Sequence, residues 1–305
     1  MIYNDSDELV KFLQKNHLWN KKSLGQNFLV NFEVLKKILE AAEITAEDFI
    51  VEVGTGLAVL TESLAANAKR VETIEFDPKL IPILREYLQK FPNVNLEHQD
   101  ALTYDLPTVD YKLVANIPYY ITSPLLNHFL QPTHDAKQSA LYEKSGVANL
   151  KDREPNQQRK RPSLIVLLVQ KEVAEKICAK ADDHSVLSLQ VQIFGKPTIV
   201  SMVSKNSFFP APKVDSAILK IEMYPEPLIK DLDTFFKLIK RAFLQRRKTL
   251  LNSLGNGFQL SREQTAEILK KAGIAENQRP QALSIQEWEN LGKILSESLN
   301  QEKTL

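Results

Sequence analysis

Phe49-Ile50-Val51-Glu52-Val53-Gly54-Thr55-Gly56 (residues 49–56) is a short run rich in β-formers that stops at two glycines. Leu57 to Ala66 then has a helical pattern, so the segment reads as strand, tight turn, helix. The same rhythm continues outward. Val71 to Glu75 is a second strand candidate, Pro78 opens a helix reaching Lys90, and 94–98 and 111–115 add two strands. A further apolar run, Leu164 to Val169, precedes a helix from Val173 to Ala179, and 197–203 with 214–222 predict an antiparallel hairpin at a sheet edge. Strands that alternate with helices imply right-handed βαβ units, hence an α/β fold with a mostly parallel seven-stranded sheet. Upstream, helices are expected over 6–22, with Leu9, Phe12 and Leu13 on one face, and over 31–43, with Val34, Leu35, Ile38 and Leu39. Downstream of Leu228 the patterns are helical (231–244, 262–272 and 285–299), which predicts a small all-helical C-terminal domain. The expected domains are 1–225 and 226–305. The rhythm breaks at 132–162, a polar surface insertion with Pro132, Pro155, Pro162, the basic cluster Arg159-Lys160-Arg161 and room for a short helix at 140–144.

A chain of 305 residues suits one large and one smaller domain, and 43% hydrophobic with 25% charged residues is an ordinary globular composition. No apolar run approaches the roughly 18 residues of a membrane span. Asp5, Asp7 and Glu8 are unlike the start of a signal peptide. A lone Cys178 and five scattered histidines leave no disulfide framework and no metal-ligand spacing, so a cytoplasmic protein without a metal is expected. Net charge is +1, unevenly spread. Residues 51–110 carry 5 Lys/Arg against 10 Asp/Glu, whereas 196–250 carry 11 against 5. Such blocks are either solvated faces or the two ends of a protein that holds a cationic cofactor and a polyanion.

Glycines between a strand and a helix let a ligand approach the backbone, so Gly54 and Gly56 are cofactor candidates, and tight packing is the plainer reading. Glu75 closes the next strand and suits ribose hydroxyls. A nicotinamide dinucleotide would use such a carboxylate too, but the third glycine of its pattern is Val59 here. Asp100, ending the third strand, is either a turn cap or an acceptor for an adenine amino group. With Glu75 and the glycines it favours a nucleoside pocket.

Asn116-Ile117-Pro118-Tyr119-Tyr120 follows the fourth strand, where open α/β sheets bind ligands. It is either an Asn-x-Pro turn with packed tyrosines or a catalytic loop. An adenine amino group is a poor nucleophile because its lone pair is delocalised. The Asn116 side-chain carbonyl and a main-chain carbonyl fixed by Pro118 would accept its two protons, while Tyr119 stacks on the ring.

The chain resembles the small-subunit ribosomal RNA adenine dimethyltransferases, the enzymes whose loss confers kasugamycin resistance. The resemblance is carried in order by Leu24-Gly25-Gln26-Asn27-Phe28-Leu29, Glu52 to Gly56, Glu75-Phe76-Asp77, Gln99-Asp100-Ala101, Asn116 to Tyr120, Phe208 to Ser216, and Phe243 to Leu250. It implies a Rossmann-like class I methyltransferase fold with S-adenosyl-L-methionine as methyl donor. It also implies cofactor contacts from Asn27, Leu29, Gly54, Glu75, Asp100 and Asn116, joined by Gly56 and Phe76 from the same segments. By the same comparison Phe208 is a second aromatic wall opposite Tyr119, and two adjacent adenines near the 3′ end of small-subunit RNA are each methylated twice. The chain departs from the family at Ala58, where a third glycine is usual, in the 132–162 insertion, and at Ser185-Val186, near which a Gly-Arg pair is common.

Lys237, Lys240, Arg241, Arg246, Arg247 and Lys248 lie in the basic block. They form either a solvated helical face or a phosphate-binding one. Arg159 to Arg161 is a further candidate RNA contact. Three rival functions share some of these features. A large-subunit RNA methyltransferase of the macrolide-resistance type has the same Asn-Ile-Pro-Tyr loop, a non-catalytic ribosome assembly factor would keep the pocket for binding alone, and a dehydrogenase would use the glycine turn. Nothing in the sequence suggests more than a monomer.

Overall fold

The computed structural model describes residues 6–16, 18, 26–131 and 159–302. Leu24 and Gly25, residues 17 and 19–22 of the first expected helix, and 132–158 of the insertion, with its candidate helix at 140–144, lie outside the described residues. In chain order the elements are α1 (Ser6–Lys15), β1 (Phe28–Leu29), α2 (Phe32–Ala42), β2 (Phe49–Val53), α3 (Val59–Ala65), β3 (Arg70–Glu75), α4 (Ile81–Leu88), β4 (Val94–His98), β5 (Lys112–Asn116), α5 (Thr122–Leu130) and β6 (Leu164–Gln170). They continue with α6 (Lys171–Ile177), α7 (Val186–Gln192), β7 (Gly195–Val203), β8 (Phe208–Phe209), β9 (Ser216–Met223), α8 (Leu232–Phe243), α9 (Leu250–Phe258), α10 (Arg262–Lys271) and α11 (Ile285–Glu302).

Seven strands form one sheet in the order β4-β3-β2-β5-β6-β9-β7. The neighbours from β4 to β6 pair in parallel, and β9 runs antiparallel to β6 from Leu164↔Glu222 to Gln170↔Ser216. The central strands are covered on both faces, which is why β6 is buried from Leu164 to Val169 and reads as a continuous apolar run. The order of strands reverses between β2 and β5, so a crevice opens beyond their carboxyl ends.

On one side, α2 buries Val34, Leu35 and Ile38 in a cluster with Ile50, Val114, Val166 and Leu168. Each such side chain contributes about 1.5–3 kcal/mol. Asn31 caps α2, its Oδ1 accepting from Glu33 and Val34 N–H. Leu9 and Leu13 of α1 share a separate cluster with Phe28, Leu57, Leu80, Leu84 and Leu88. Sequence periodicity did not anticipate β1 and β8, which pair as Phe28↔Phe209 and Leu29↔Phe208.

The chain divides into two compact units, Met1–Ala174 with Thr198–Met223, and Glu175–Pro197 with Tyr224–Leu305. Residues 175–197, on the N-terminal side of the boundary expected at 225, group with the helical unit. The reason is local bonding: Tyr224 N–H donates to Phe194 O (2.8 Å), Leu228 N–H to Ile193 O (2.9 Å) and Asp182 N–H to Gln281 O (2.9 Å). Ser185, near the position where a Gly-Arg pair is usual, caps α7 with a capping box to Ser188. The helical unit also contains α9, which the expected pattern omitted. Its Gly257 lets the chain pass Arg241, whose Cβ would lie 3.0 Å from an added Cβ.

Candidate active site

The turn after β2 is built from left-handed backbone. Gly54 (φ 81°), Gly56 (φ 56°) and Ala58 (φ 60°) alternate with ordinary residues before α3 begins. Space at Gly54 is tight as well, because a Cβ there would sit 3.3 Å from Asn116 O. The turn lines an open cleft of about 850 Å³, solvent at its mouth included, together with Gln26 to Leu29, Glu75 to Asp77 and Asn116 to Tyr120.

Four segments distant in sequence therefore meet. Glu75, at the end of β3, is almost fully buried and braces the turn. Its Oε2 accepts from Gly56 N–H (2.9 Å), and Oε1 accepts from Phe76 (2.9 Å) and Asp77 N–H (2.8 Å). Burial holds its carboxyl above the usual range despite these donors. Phe76 beside it is 56% exposed and offers an apolar wall. Gln26 Nε2 donates to Asp77 Oδ2 (3.3 Å), and Asn116 Nδ2 donates to Asn27 O (3.4 Å), which joins β5 to the N-terminal wall. With its amide donor engaged, Asn116 keeps Oδ1 as an acceptor. Pro118 O takes Ile121 N–H (3.1 Å), and Tyr119 lines the cleft with its hydroxyl bonded to Ser216 Oγ (2.6 Å).

Of the expected cofactor residues, Asn27, Leu29, Gly54, Gly56, Glu75, Phe76 and Asn116 line this one cleft. Asp100 is not among the lining residues. Its Oδ1 caps the turn through Leu102 N–H (2.9 Å), and its charge, with that of Glu75, adds to burial in raising the hydroxyl pKa of Tyr120. Phe208 needs a correction. It is 3% exposed and packed with Leu29, Ile38 and Val203, because its strand pairing with Leu29 turns it into the core. It forms no open wall of the cleft in this conformation.

Glu52 stands in the glycine motif with no role that the motif itself suggests, and the structure gives it one. It is fully buried in β2, and its Oε2 accepts from Thr61 Oγ1 (2.6 Å) and Thr73 Oγ1 (2.7 Å), while Thr55 and Thr73 hydroxyls are 2.7 Å apart. Burial pushes its carboxyl up to about 8, so it is largely protonated at neutral pH. An acidic residue inside a strand buried on both faces was the available signal.

Lys237, Lys240, Arg241, Arg246, Arg247 and Lys248 are exposed on α8 and the turns after it. Arg241 stacks on Phe258 at 4.6 Å. Among the described residues no group of His, Cys, Asp and Glu side chains could hold a metal ion, and no helix is long and apolar enough to cross a membrane.

The sequence profile of the ribosomal RNA adenine dimethylases matches residues 17–297. The chain belongs to this family. Among relatives of this dimethylase, "Ribosomal RNA small subunit methyltransferase A" of Dehalococcoides mccartyi strain 195 is 38% identical over 285 residues, covering 91% of this chain and 89% of its own. The protein of the same name from Latilactobacillus sakei strain 23K is 38% identical over 303 residues, covering 94% and 93%. Among solved structures, a dimethyladenosine transferase from Plasmodium falciparum superposes with a TM-score of 0.69 at 26% identity, covering 89% of this chain and 98% of its own. The 23S rRNA methyltransferase ErmE does so at 0.65 and 25% identity, covering 88% and 100%. The methyl donor of these dimethylases is S-adenosylmethionine. The cleft fits that molecule: glycines give its backbone room for close approach, Glu75 supplies carboxylate acceptors, and Phe76 supplies an apolar face.

Proposed function

We propose that the protein dimethylates the N6 amino groups of two adjacent adenines near the 3′ end of small-subunit ribosomal RNA, on the small-subunit particle during its biogenesis. The observation that carries this reading is the convergence of the Asn116 to Tyr120 loop and the Gly54 to Gly56 turn on one cleft wall. Bound S-adenosylmethionine supplies a methyl group already activated by its sulfonium. Gly54 and Gly56 would admit it to the backbone, Glu75 would accept from its ribose hydroxyls, and Asn27, Leu29 and Phe76 would complete its surroundings. Asn116 Oδ1 accepts a hydrogen bond from one N–H of the adenine amino group, a main-chain carbonyl beside Pro118 accepts one from the other, Tyr119 stacks on the ring, and the single proton released with each methyl transfer passes to solvent. Orientation of this kind contributes up to ~7–11 kcal/mol in well-placed systems. Stacking at ~1–3 kcal/mol per base offsets part of the cost of extracting the adenine. Phe208 is packed in the core, so this reading gives the stacking role to Tyr119.

Lys240, Arg241, Arg246, Arg247 and Lys248 serve as phosphate contacts, and the protein acts as a cytoplasmic monomer without a metal. Small-subunit RNA is favoured over large-subunit RNA by the 38% identity over nearly the whole chain to proteins named for the small subunit, against 25% to ErmE. The test is methyl transfer from labelled S-adenosylmethionine to unmethylated small-subunit particles, with large-subunit RNA in parallel. Dimethyladenosine from the small subunit alone is expected. Label in the large subunit alone replaces this reading by the resistance-type activity, and binding without label replaces it by an assembly role.

A further inference from the structure

We infer that Ser216 is a positioning residue for the reaction: its buried hydroxyl holds Tyr119 in the cleft wall and ties that wall to the cofactor-side strand β1. The inference rests on the reading that Tyr119 stacks on the target adenine.

The backbone of Tyr119 is held locally. Thr122 Oγ1 donates to Tyr119 O (3.1 Å), and Ile121 N–H donates to Pro118 O (3.1 Å). Neither bond sets the two side-chain torsions that aim the ring. The bond that does so comes from 97 residues away, where Ser216 Oγ lies 2.6 Å from the Tyr119 hydroxyl. Ser216 is fully buried at the start of β9, opposite Gln170 of β6, so its hydroxyl has a fixed origin. Burial raises the Tyr119 hydroxyl above its ordinary pKa, so the phenol keeps its proton for this contact at neutral pH.

The anchor is fixed in turn. Asp215 O accepts from Lys171 N–H (3.0 Å), and Asp215 Oδ1 accepts from Lys205 N–H (3.0 Å). Beyond Lys205, Ser207 O accepts from Val30 N–H (3.0 Å), and Asn31 Nδ2 lies 3.1 Å from Ser207 Oγ. Phe208 and Phe209 then pair with Leu29 and Phe28. One continuous segment, 205–216, thus grips both the aromatic wall and the strand lining the cofactor side. A serine suits the anchor because it bonds the phenol without filling the space that the ring occupies.

The experiment compares Ser216→Ala, Tyr119→Phe, the double variant and Tyr119→Ala in the full chain. It measures kcat on small-subunit particles, KM for S-adenosylmethionine and thermal melting. Removing the bond from either side is expected to lower kcat about 10-fold, the effect of one hydrogen bond. The KM for S-adenosylmethionine should stay unchanged, and the double variant should fall no further than either single one, because the two groups share one interaction. Tyr119→Ala should lose more, roughly 100-fold, as the stacking surface goes. Wild-type kcat in Tyr119→Ala overturns the stacking reading and this inference with it. A loss in Tyr119→Ala with wild-type kcat in Tyr119→Phe overturns the inference alone, as do losses that multiply in the double variant. Should Ser216→Ala fail to fold, Tyr119→Phe removes the same bond from the half-exposed side and decides the matter.

Discussion

Two basic clusters, Arg159-Lys160-Arg161 and Arg246-Arg247-Lys248, look alike in sequence and have different surroundings. In the first, Arg159 Nε lies 2.5 Å from Asp105 Oδ1 and Lys160 Nζ lies 2.9 Å from Asp110 Oδ1. Lys160 N–H also donates to Pro107 O (2.8 Å), so this stretch is bound to the acidic face beside it. In the second, all three side chains are exposed and none makes an ion pair among the described residues. Leu244 next to them is 78% exposed. A charge run becomes a candidate surface for a polyanion only when the fold leaves it unneutralised. The same contrast extends to the units that carry them. The cleft unit uses buried polar groups for internal bonds that shape a site, whereas the helical unit leaves the cations at 246–248 exposed.

The sharpest way to break this division of labour is Asn116→Ala. It should lower methyl transfer by about 10²–10³-fold, the usual consequence of losing one preorganised polar partner, while particle affinity stays unchanged. Parallel loss of binding in a filter assay would erase the separation between cleft and basic face.

Next in size is the pH dependence of stability set by Glu52. The unfolded carboxyl releases its proton near 4.5 and the folded one near 8, so the folded state holds the extra proton between these values. Stability from this group is therefore greatest below the lower value and declines as pH rises toward the upper one. By pH 7 the decline amounts to about 3 kcal/mol. Glu52→Gln should remove that slope in denaturant titrations run from pH 5 to 8. A slope identical to that of the unsubstituted protein would show that internal bonding in the cleft unit does not include a neutral Glu52.

The two clusters themselves are compared through salt dependence. Replacing Arg246 and Arg247 by Ala should reduce the slope of log affinity against log salt by about 1.4–1.8, from ~0.7–0.9 per phosphate contact. Replacing Arg159 and Lys160 should leave it unchanged. Equal effects at both sites would dissolve the contrast.

The smallest effect concerns Ala58, which holds a left-handed conformation that costs an L-residue roughly 1–2 kcal/mol. Ala58→Gly should raise stability by up to about 1 kcal/mol, offset partly by the entropy of the unfolded glycine. A lower melting temperature would mean that the buried methyl matters more than the strain.

Much of the cleft was legible in the chain itself, for reasons specific to its residues. The glycines report a backbone that must turn left-handed, and Asn116 to Tyr120 reports its chemistry by residue type and place after a strand. Less legible were the groups whose meaning depends on distant partners. Phe208 is core because Leu29 pairs with it, and the Ser216 hydroxyl meets Tyr119 across 97 residues. Helix α9 escaped the pattern because two glycines weaken a helical reading, yet Gly257 is there to let it pass Arg241.

By itself the sequence determined the alternation of strands and helices, the cleft at the strand ends and the family. These depend on period and residue type, which are local properties of the chain. Only the tertiary structure decided that Glu52 is buried and neutral, that Ser216 bonds Tyr119, that residues 175–197 group with the helices, and which basic cluster is without ion pairs among the described residues. Those outcomes depend on burial and on which residues meet across long separations, and no local pattern encodes either.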